Sequence, residues 1–256
     1  MTLSASHDAA VERQFSPQAA AYLTSSVHAQ GEDLQQLASL ARGQPTARVL
    51  DLGCGGGHVS FLVAPLVQHV TAYDLSQAML DVVAAEAGRR GLHNLDTCQG
   101  KAERLPFDDE QFDLLLCRYS THHWQDPGQA IREARRVLKP GGIAAFADVV
   151  SPGEALLDTW LQTFEMLRDT SHVRNYSIAE WSALLTQAGF TLQSTTLRRL
   201  PLEFSSWVAR MRTPETLVAA LRALHAIAPD VVREHFEIQG DGSFTSDTAT
   251  LVVRKG

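Results

Sequence analysis

The sequence predicts a doubly wound α/β fold with a mainly parallel, seven-stranded sheet. Short apolar runs alternate with helical patterns of roughly 10–15 residues, the arrangement typical of parallel βαβ units. The first apolar run is followed by four glycines within residues 53–57, here called the glycine loop. Because ordered glycine costs conformational entropy, such a cluster indicates a tight turn or a ligand close to the backbone.

Charge and cysteine content limit the possible functions. The chain has 22 Lys and Arg against 29 Asp and Glu and no long basic run, which argues against a nucleic-acid partner. Cys54, Cys98 and Cys117 lack C-x-x-C spacing and fit a reducing compartment. Neither a signal peptide nor an apolar run of membrane-spanning length is visible. We therefore expect a cytoplasmic protein without membrane contact, and the sequence leaves its oligomeric state open.

The elements of the first 150 residues follow from the apolar pattern. Two helical patterns within residues 8–40 precede the first strand. Five strands are predicted, at 47–52, 70–73, 95–99, 112–117 and 143–150. Helices are predicted between them at 57–67, 76–90 and 127–138. A Lys-Pro-Gly-Gly string at 139–142 is expected to form a turn.

The remaining residues predict more helix and two further strands. The helices lie at 155–168, at 177–188 and, as two helices split at Pro214, within 204–228. Ser177 and Glu180 have the spacing of a capping box, which supports a helix start there. Strands at 191–199 and 243–253 would complete the sheet.

The glycine loop distinguishes two cofactor classes. A dinucleotide site requires G-x-G-x-x-G, which Gly53 and Gly55 begin, but the third position is His58, whose side chain would obstruct close helix packing. The alternative spacing G-x-G-x-G is satisfied when Gly57 is the third glycine, with Asp51 two residues ahead of the loop. The second spacing is therefore favoured.

This loop and four later segments resemble the motifs of class I S-adenosylmethionine-dependent methyltransferases. The segments are 73–80, 99–107, 112–124 and 138–142, in the family's order. The likeness is greatest to the small-molecule subgroup of the ubiquinone/menaquinone-biosynthesis type (methyltransferase domain type 11). One position departs from the pattern G-D-A-E-x-L-P-F, because Lys101 replaces the acid that usually contacts adenine.

The resemblance implies a set of cofactor-binding residues for S-adenosylmethionine, which leaves as S-adenosylhomocysteine. They are Asp51, Gly53, Gly55, Asp74, Leu75, Met79, Ala102, Glu103 and Arg118. Asp51 would lie near the amino group, Asp74 would accept from both ribose hydroxyls, and the Ala102 N–H would reach adenine. Leu75 and Met79 would border the adenine, although such side chains at helical spacing are also typical of a core.

Candidate catalytic residues follow the fourth strand, where a doubly wound sheet places its ligands. His122 and His123 are the candidate bases because histidine titrates near neutral pH. The pair is equally compatible with packing or with capping a helix. Arg118 would bind the cofactor's carboxylate or extend into solvent. No third ligand stands at a useful spacing, so no metal is expected.

Candidate substrate residues lie in that loop and in the polar, aromatic segment 167–176. They are Tyr119, Trp124, Asp169, His172 and Arg174. Segment 167–176 lies where the family's insertions cover the active site, but a solvated helix end with local ion pairs is a competing interpretation. In the string 200–212, Phe204, Trp207 and Met211 would line an apolar pocket or belong to the core.

The resemblance also implies the domain organisation. Residues 1–44 would form a helical lid carrying the pattern F-x-x-x-A-x-x-Y at Phe15 and Tyr22, 45–150 the cofactor-binding core, and 151–256 the last strands with a helical substrate cap. All three parts would form one integrated domain. The predicted activity is methyl transfer to a small molecule, whether at carbon, oxygen or nitrogen. The alternatives are a non-catalytic S-adenosylmethionine-binding module and a nicotinamide-dependent oxidoreductase.

Overall fold

The structure is a computed structural model that describes residues 6–16 and 31–256. Seven strands form one sheet: β1 (Arg48–Leu52), β2 (His69–Asp74), β3 (Leu95–Gln99), β4 (Phe112–Arg118), β5 (Leu138–Val149), β6 (Phe190–Leu202) and β7 (Phe244–Lys255). The α-helices of the described part are α1 (His7–Phe15), α2 (Glu32–Ala41), α3 (His58–Val63), α4 (Gln77–Arg90), α5 (Pro127–Val137), α6 (Ala155–Arg168), α7 (Ile178–Gln187), α8 (Phe204–Arg210), α9 (Glu215–Ile227) and α10 (Asp230–His235).

The sheet order is β3-β2-β1-β4-β5-β7-β6, and only β7 runs against its neighbours. This confirms the predicted seven-stranded, mainly parallel sheet. The strand order reverses between β1 and β4, which pair in parallel. In such sheets ligands bind beyond the carboxyl ends of the strands at this reversal. The fold therefore locates the expected site at the ends of β1, β2 and β4.

Both faces of the central strands β1, β4 and β5 are buried, as their continuous apolar runs predict. Neighbouring residues of β1 point to opposite faces, and Val49 and Leu50 are both fully buried. Leu50 packs with Phe112 and Phe146 on one face, whereas Val49 packs with the helix α2 on the other. A third apolar cluster joins α6, α8, α9 and the start of β7. This last cluster lies within the region 151–256, for which the sequence predicts a helical cap.

Local sequence signals explain most element boundaries. Ser177 and Glu180 form the predicted capping box of α7, and Pro214 separates α8 from α9. The predicted turn at 139–142 is wrong, because these residues belong to β5. A register shift between β4 and β5, in which residues 139–142 bulge from β5, and the left-handed φ of 74° at Gly141 accommodate the string within the sheet. Helix α10 was not predicted.

Two further predictions concern the helical lid and the lack of a membrane-spanning segment. Tyr22 of the expected lid pattern lies outside the described residues. Within residues 6–16 and 31–256, no helix combines the length and the apolar character that crossing a bilayer requires.

Candidate active site

The glycine loop turns sharply between β1 and α3. Gly53 and Gly55 adopt left-handed φ angles of 72° and 48°, which glycine tolerates best. The N–H groups of Gly53 and Cys54 both donate to the carbonyl of Tyr73, at 2.8 and 2.9 Å. A Cβ atom on Gly53 would lie 2.0 Å from Ser120 Oγ. A side chain at position 53 is therefore excluded by both the backbone and the neighbouring loop.

Two carboxylates border this loop in a poorly solvated environment. Asp51 is 1% exposed, and its Oδ2 accepts from the N–H and the hydroxyl of Ser60 at 3.0 and 2.6 Å. Burial nevertheless raises the pKa of Asp51 to about 7. Asp74 accepts from the N–H groups of Gly55 and Ser76 at 2.8 and 2.9 Å, while desolvation raises the pKa of its carboxyl. Such a pair favours a cationic ligand, which would relieve the cost of burying negative charge.

The loop after β3 is positioned by the buried Tyr73. The Tyr73 hydroxyl donates to the carbonyl of Lys101 at 2.9 Å, and a Cβ on Gly100 would lie 2.1 Å from that hydroxyl oxygen. Glu103 Oε1 accepts from the N–H of Gln125 at 3.1 Å, which joins this loop to the one after β4. Lys101, the departure from the family pattern, forms an ion pair with Asp8 of α1.

A large cavity opens beside these groups. Its volume is about 1130 Å³ including the open mouth. We call it the first cavity. All nine predicted cofactor residues line it: Asp51, Gly53, Gly55, Asp74, Leu75, Met79, Ala102, Glu103 and Arg118. The structure thus gathers residues from four separate motifs at one place.

Arg118 is held by a residue that the sequence did not reveal. Its Nε donates to Asp33 Oδ2 at 2.6 Å, and its Nη2 to Asp33 Oδ1 at 3.2 Å. Asp33 lies on α2 and is 8% exposed. The predicted alternative of a solvated Arg118 is therefore wrong, because its side chain is only 6% exposed. No motif connects Asp33 to the loop after β4, so only the fold could show this contact.

A second cavity, of about 650 Å³ including its open mouth, lies next to the first and borders the third apolar cluster. Phe15, Tyr119 and His123 line both cavities. The second cavity also contains His122 and Asp169, whereas Trp124 lines only the first. Further lining residues come from α6, β6 and α8, among them Arg168, Leu200, Leu202, Trp207 and Met211. Trp207 and Met211 thus face a cavity, and Phe204 belongs to the third apolar cluster.

His122 is oriented by Asp148, near the end of β5. Its Nδ1 lies 2.7 Å from Asp148 Oδ1, and because a carboxylate only accepts, Nδ1 carries the proton and Nε2 can accept one. Burial opposes a charge on His122, but the negative charge of Asp148 outweighs it and raises the pKa of the imidazole. Asp148 was not predicted, although an acid within the apolar run 143–150 is a signal of a buried polar role.

His123 differs from its neighbour. Its Nδ1 donates to the carbonyl of Ser171 at 3.0 Å, and Nε2 lies 3.9 Å from Asp169 Oδ2. Burial, and then the charge on His122, lower the pKa of His123 to about 4. His123 is therefore neutral near pH 7. The two rings lie 4.2 Å apart between centroids, so the pair presents one basic and one weakly basic imidazole.

Two predicted substrate residues are placed elsewhere. His172 is 3% exposed, and its Nε2 bonds to Gln162 Oε1 at 2.9 Å. Arg174 pairs with Asp158 and Glu180 at 3.1 and 3.0 Å. Neither His172 nor Arg174 lines either cavity. For Arg174, the structure matches the competing interpretation of local ion pairs.

The fold and the first cavity together define a class I S-adenosylmethionine-dependent methyltransferase. The glycine backbone that lines the cavity and the two desolvated carboxylates fit a cofactor that carries an ammonium and a sulfonium. A methyltransferase-domain family model matches residues 50–146, from β1 into β5. The chain belongs to the methyltransferase-domain family and is an enzyme that uses S-adenosylmethionine.

Similar proteins support this assignment over most of the chain. The uncharacterized protein YafE of Escherichia coli (strain K12) is 54% identical over 203 residues, covering 79% of this chain and 98% of YafE. The uncharacterized methyltransferase YcgJ of Bacillus subtilis (strain 168) is 37% identical over 203 residues, 79% of this chain and 80% of that one. The crystal structure of YcgJ superposes with a TM-score of 0.84 at 32% identity, covering 87% of this chain and 97% of that chain.

A more distant relative has a named activity. Demethylmenaquinone methyltransferase of Listeria welshimeri is 36% identical over 128 residues, which cover 49% of this chain and 53% of that protein. The likeness to it therefore reaches only about half of each chain.

Proposed function

We propose that the enzyme methylates a small molecule bound in the second cavity. The supporting observation is that Tyr119 and His123 line both cavities, whereas His122, which pairs with Asp148, lines only the second. S-Adenosylmethionine supplies a methyl group on a positively charged sulfur. The side chains of the shared wall would align the acceptor with that methyl group, as in-line displacement requires.

The first cavity would hold the donor through residues of this chain. The carboxylate of Asp51 would accept from the ammonium group, Asp74 would accept from the ribose hydroxyls, and the Ala102 N–H would face adenine. Leu75 and Met79 would cover the apolar faces of the base. Arg118, fixed by Asp33, would face the cofactor's carboxylate.

His122 would remove the acceptor's proton. Its Nδ1–H is directed at Asp148, which leaves Nε2 as the accepting nitrogen. A base held by a third group is the usual arrangement for activating a weakly acidic nucleophile. The proton would pass from the acceptor to Nε2, and the resulting imidazolium would be stabilised by Asp148. His123, neutral and in both cavities, would position the acceptor instead.

Labelled methyl transfer tests the proposal. Purified enzyme is incubated with an extract of small metabolites and S-adenosylmethionine bearing a trideuterated methyl group, and products are sought by mass. We expect a labelled small molecule that forms with the wild type and not with His122→Ala. Label found only on protein or nucleic acid, or in no product, would refute the small-molecule acceptor. Calorimetric binding of S-adenosylhomocysteine to both proteins is the control for an intact first cavity.

A further inference from the structure

His123 and Asp169 present two facing hydrogen-bond acceptors in the lining of the second cavity. His123 Nε2 and Asp169 Oδ2 lie 3.9 Å apart, and both residues line that cavity. This separation is too long for a hydrogen bond between the two atoms. Within residues 6–16 and 31–256, neither atom forms a hydrogen bond with any other group, since the bonds of these side chains go through Nδ1 and Oδ1.

Ser171 fixes the proton of His123 on the other ring nitrogen. Nδ1 lies 3.0 Å from the carbonyl oxygen of Ser171, and because a carbonyl oxygen only accepts, Nδ1 carries the proton. Burial, and then the charge on His122, lower the pKa of His123 to about 4, so the ring is neutral near pH 7. His123 Nε2 therefore presents a lone pair.

Ser171 also holds the carboxylate of Asp169. Asp169 Oδ1 accepts from the N–H and the hydroxyl of Ser171 at 2.9 and 2.6 Å, which leaves Oδ2 on the side of His123. Asp169 is 3% exposed. Leaving a carboxylate oxygen in such a place without a donor is destabilising. The two facing lone pairs thus lack a donor, which a bound molecule can supply.

Both acceptor atoms can be reached from the cavity. In the part of the chain that the structure describes, the fully enclosed side-chain atoms without a hydrogen bond include Asn175 Nδ2, but neither His123 Nε2 nor Asp169 Oδ2. Since these two atoms are also unbonded, they differ from Asn175 Nδ2 in keeping accessible surface. That surface belongs to side chains that line the second cavity.

The spacing of the two acceptors indicates the kind of donor. A nitrogen placed about 2.9 Å from each acceptor would have them roughly 85° apart, which two N–H bonds of one amino group can reach with slight bending. A hydroxyl has a single hydrogen and would leave one acceptor unbonded. A charged donor bonds more strongly to a carboxylate than a neutral one does. An ammonium group therefore fits best.

The net charge of the cavity does not decide this assignment. Its lining contains Arg168 and Arg210 as well as Glu165 and Asp169, so the charges balance in number. Glu165 pairs with Arg168 at 3.3 Å, whereas among the described residues only His123 lies at ion-pair distance from Asp169. The free oxygen of Asp169 and the lone pair of His123 therefore determine which group binds beside them.

We propose that the methyl acceptor carries a primary amino group, which His123 Nε2 and Asp169 Oδ2 bind together. The rest of the acceptor would be largely apolar, because apolar side chains line much of the cavity: Val149, Leu200, Leu202, Trp207 and Met211. His123 also lines the first cavity, so the amino group would lie at the end of the acceptor nearest the methyl donor. This inference rests on the proposed function, since it assumes that the second cavity holds the acceptor.

Calorimetry with benzylamine tests this site without turnover. In protein saturated with S-adenosylhomocysteine, benzylamine should bind at least about tenfold more tightly than benzyl alcohol, which has the same ring but one donor hydrogen. Asp169→Asn keeps the acceptor that Ser171 uses and supplies an N–H of its own to His123 Nε2. The variant should therefore fold at least as stably as the wild type and lose the preference for the amine.

Asp158→Asn is the matched control, because the carboxylate of Asp158 lines neither cavity and pairs with Arg174. This variant should keep the wild-type preference for benzylamine. Equal affinities of the wild type for the two probes, or an unchanged preference in Asp169→Asn, would overturn the proposal.

The product of the labelled methyl transfer separates this inference from the proposed function. We expect the labelled molecule to carry an amino group, free or methylated. A labelled product without one would overturn the amine assignment and leave methyl transfer to a small molecule intact. Selective binding of benzylamine without any labelled product from the wild type would instead support the amine site and refute the proposed function.

Discussion

The two cavities are built in different ways. The first is centred on the carboxyl ends of adjacent strands, with the glycine loop, Asp74 and Ala102 each beside a strand end, and helix α1 adds four lining residues. The second is assembled from side chains of α1, the loop after β4, α6, β6 and α8, which are far apart in the chain. A backbone site depends on a few fixed motifs, whereas a side-chain site can change its specificity residue by residue.

This contrast has an energetic counterpart. The first cavity keeps two carboxylates whose pKa values are raised by desolvation, Asp51 and Asp74. In the second, Glu165 pairs with Arg168, and Asp169 accepts from the N–H and the hydroxyl of Ser171 at 2.9 and 2.6 Å. The first cavity therefore favours a cation more strongly than the second. Each of the following changes should affect one cavity and leave the other intact.

The largest effect is expected from removing the base. His122→Ala should lower the rate of methyl transfer roughly 10²–10⁴-fold, the usual contribution of general base catalysis. S-Adenosylhomocysteine affinity should be unchanged, because His122 does not line the first cavity. The measurement is kcat with the labelled acceptor, beside calorimetric binding. Loss of cofactor binding in His122→Ala would contradict the separation of the two cavities.

The pH dependence of the same reaction sharpens this prediction. A base must be unprotonated, so kcat should rise with pH through the pKa of His122, which Asp148, and more weakly Glu165 and Asp169, raise above its ordinary value. Asp148→Asn removes that charge and should move the rise to lower pH, besides slowing the reaction. An identical pH profile in the variant would exclude His122 as the group that titrates.

Asp74 should dominate on the donor side. Asp74→Ala removes hydrogen bonds to a charged group, worth about 1.5–3 kcal/mol, and should weaken S-adenosylhomocysteine binding roughly 10- to 150-fold. Asp96→Ala on β3 is a matched control, because its side chain is 75% exposed and lies outside both cavities. Equal dissociation constants for Asp74→Ala and the wild type would remove Asp74 from the cofactor site.

The same contrast explains what could be predicted from the sequence. The apolar strands and the motifs lie in continuous segments. The strands predicted the sheet, and the family resemblance of the motifs implied nine residues that line the first cavity. Asp148 was missed because its partner is 26 residues away in the chain, and Asp33 because its partner is 85 residues away. Within the segment 167–176, polar density alone could not separate Asp169, which lines the second cavity, from His172 and Arg174, which do not.

Asp51 should make the stability of the unliganded enzyme depend on pH. Its folded pKa of about 7 exceeds the ordinary value of 3.8, so between these pH values the folded protein holds a proton that the unfolded chain releases. The free energy of unfolding therefore falls as pH rises, by up to about 1.4 kcal/mol per pH unit from this group. Asp51→Asn removes this contribution to the pH dependence of stability, and the variant should be more stable than wild type at pH 8. It should also bind S-adenosylmethionine more weakly.

The difference in stability between the two proteins is measured by denaturant unfolding without cofactor. The measurements run from pH 5 to pH 8, a range of about three units around that pKa. All other groups titrate in both proteins, so the difference between the two stability profiles reports the titration of Asp51 alone. Parallel stability profiles would show that Asp51 is ionised throughout and that its burial is compensated.

The smallest effect is expected at the mouth of the first cavity. Asp8 of α1 pairs with Lys101 and accepts from Gln125 Nε2 at 2.9 Å, so helix α1 is tied to the wall of the cofactor site. Lys101 is 53% exposed, and such pairs contribute about 0.2–1 kcal/mol and are screened by salt. Asp8→Asn should therefore speed S-adenosylhomocysteine dissociation by at most about fivefold at low salt, and by less at high salt.

Lys101→Gln should match Asp8→Asn, and the double variant should add little to either, because both remove one pair. Asp109→Asn breaks the exposed pair with Arg136, which lies outside both cavities, and should leave dissociation unchanged. Stopped-flow displacement supplies the rates. If the effects of the two single variants were additive in the double variant, Lys101 would act on the cofactor directly. Lys101 in place of the family's acid would then change the contact with adenine and would not serve to hold α1.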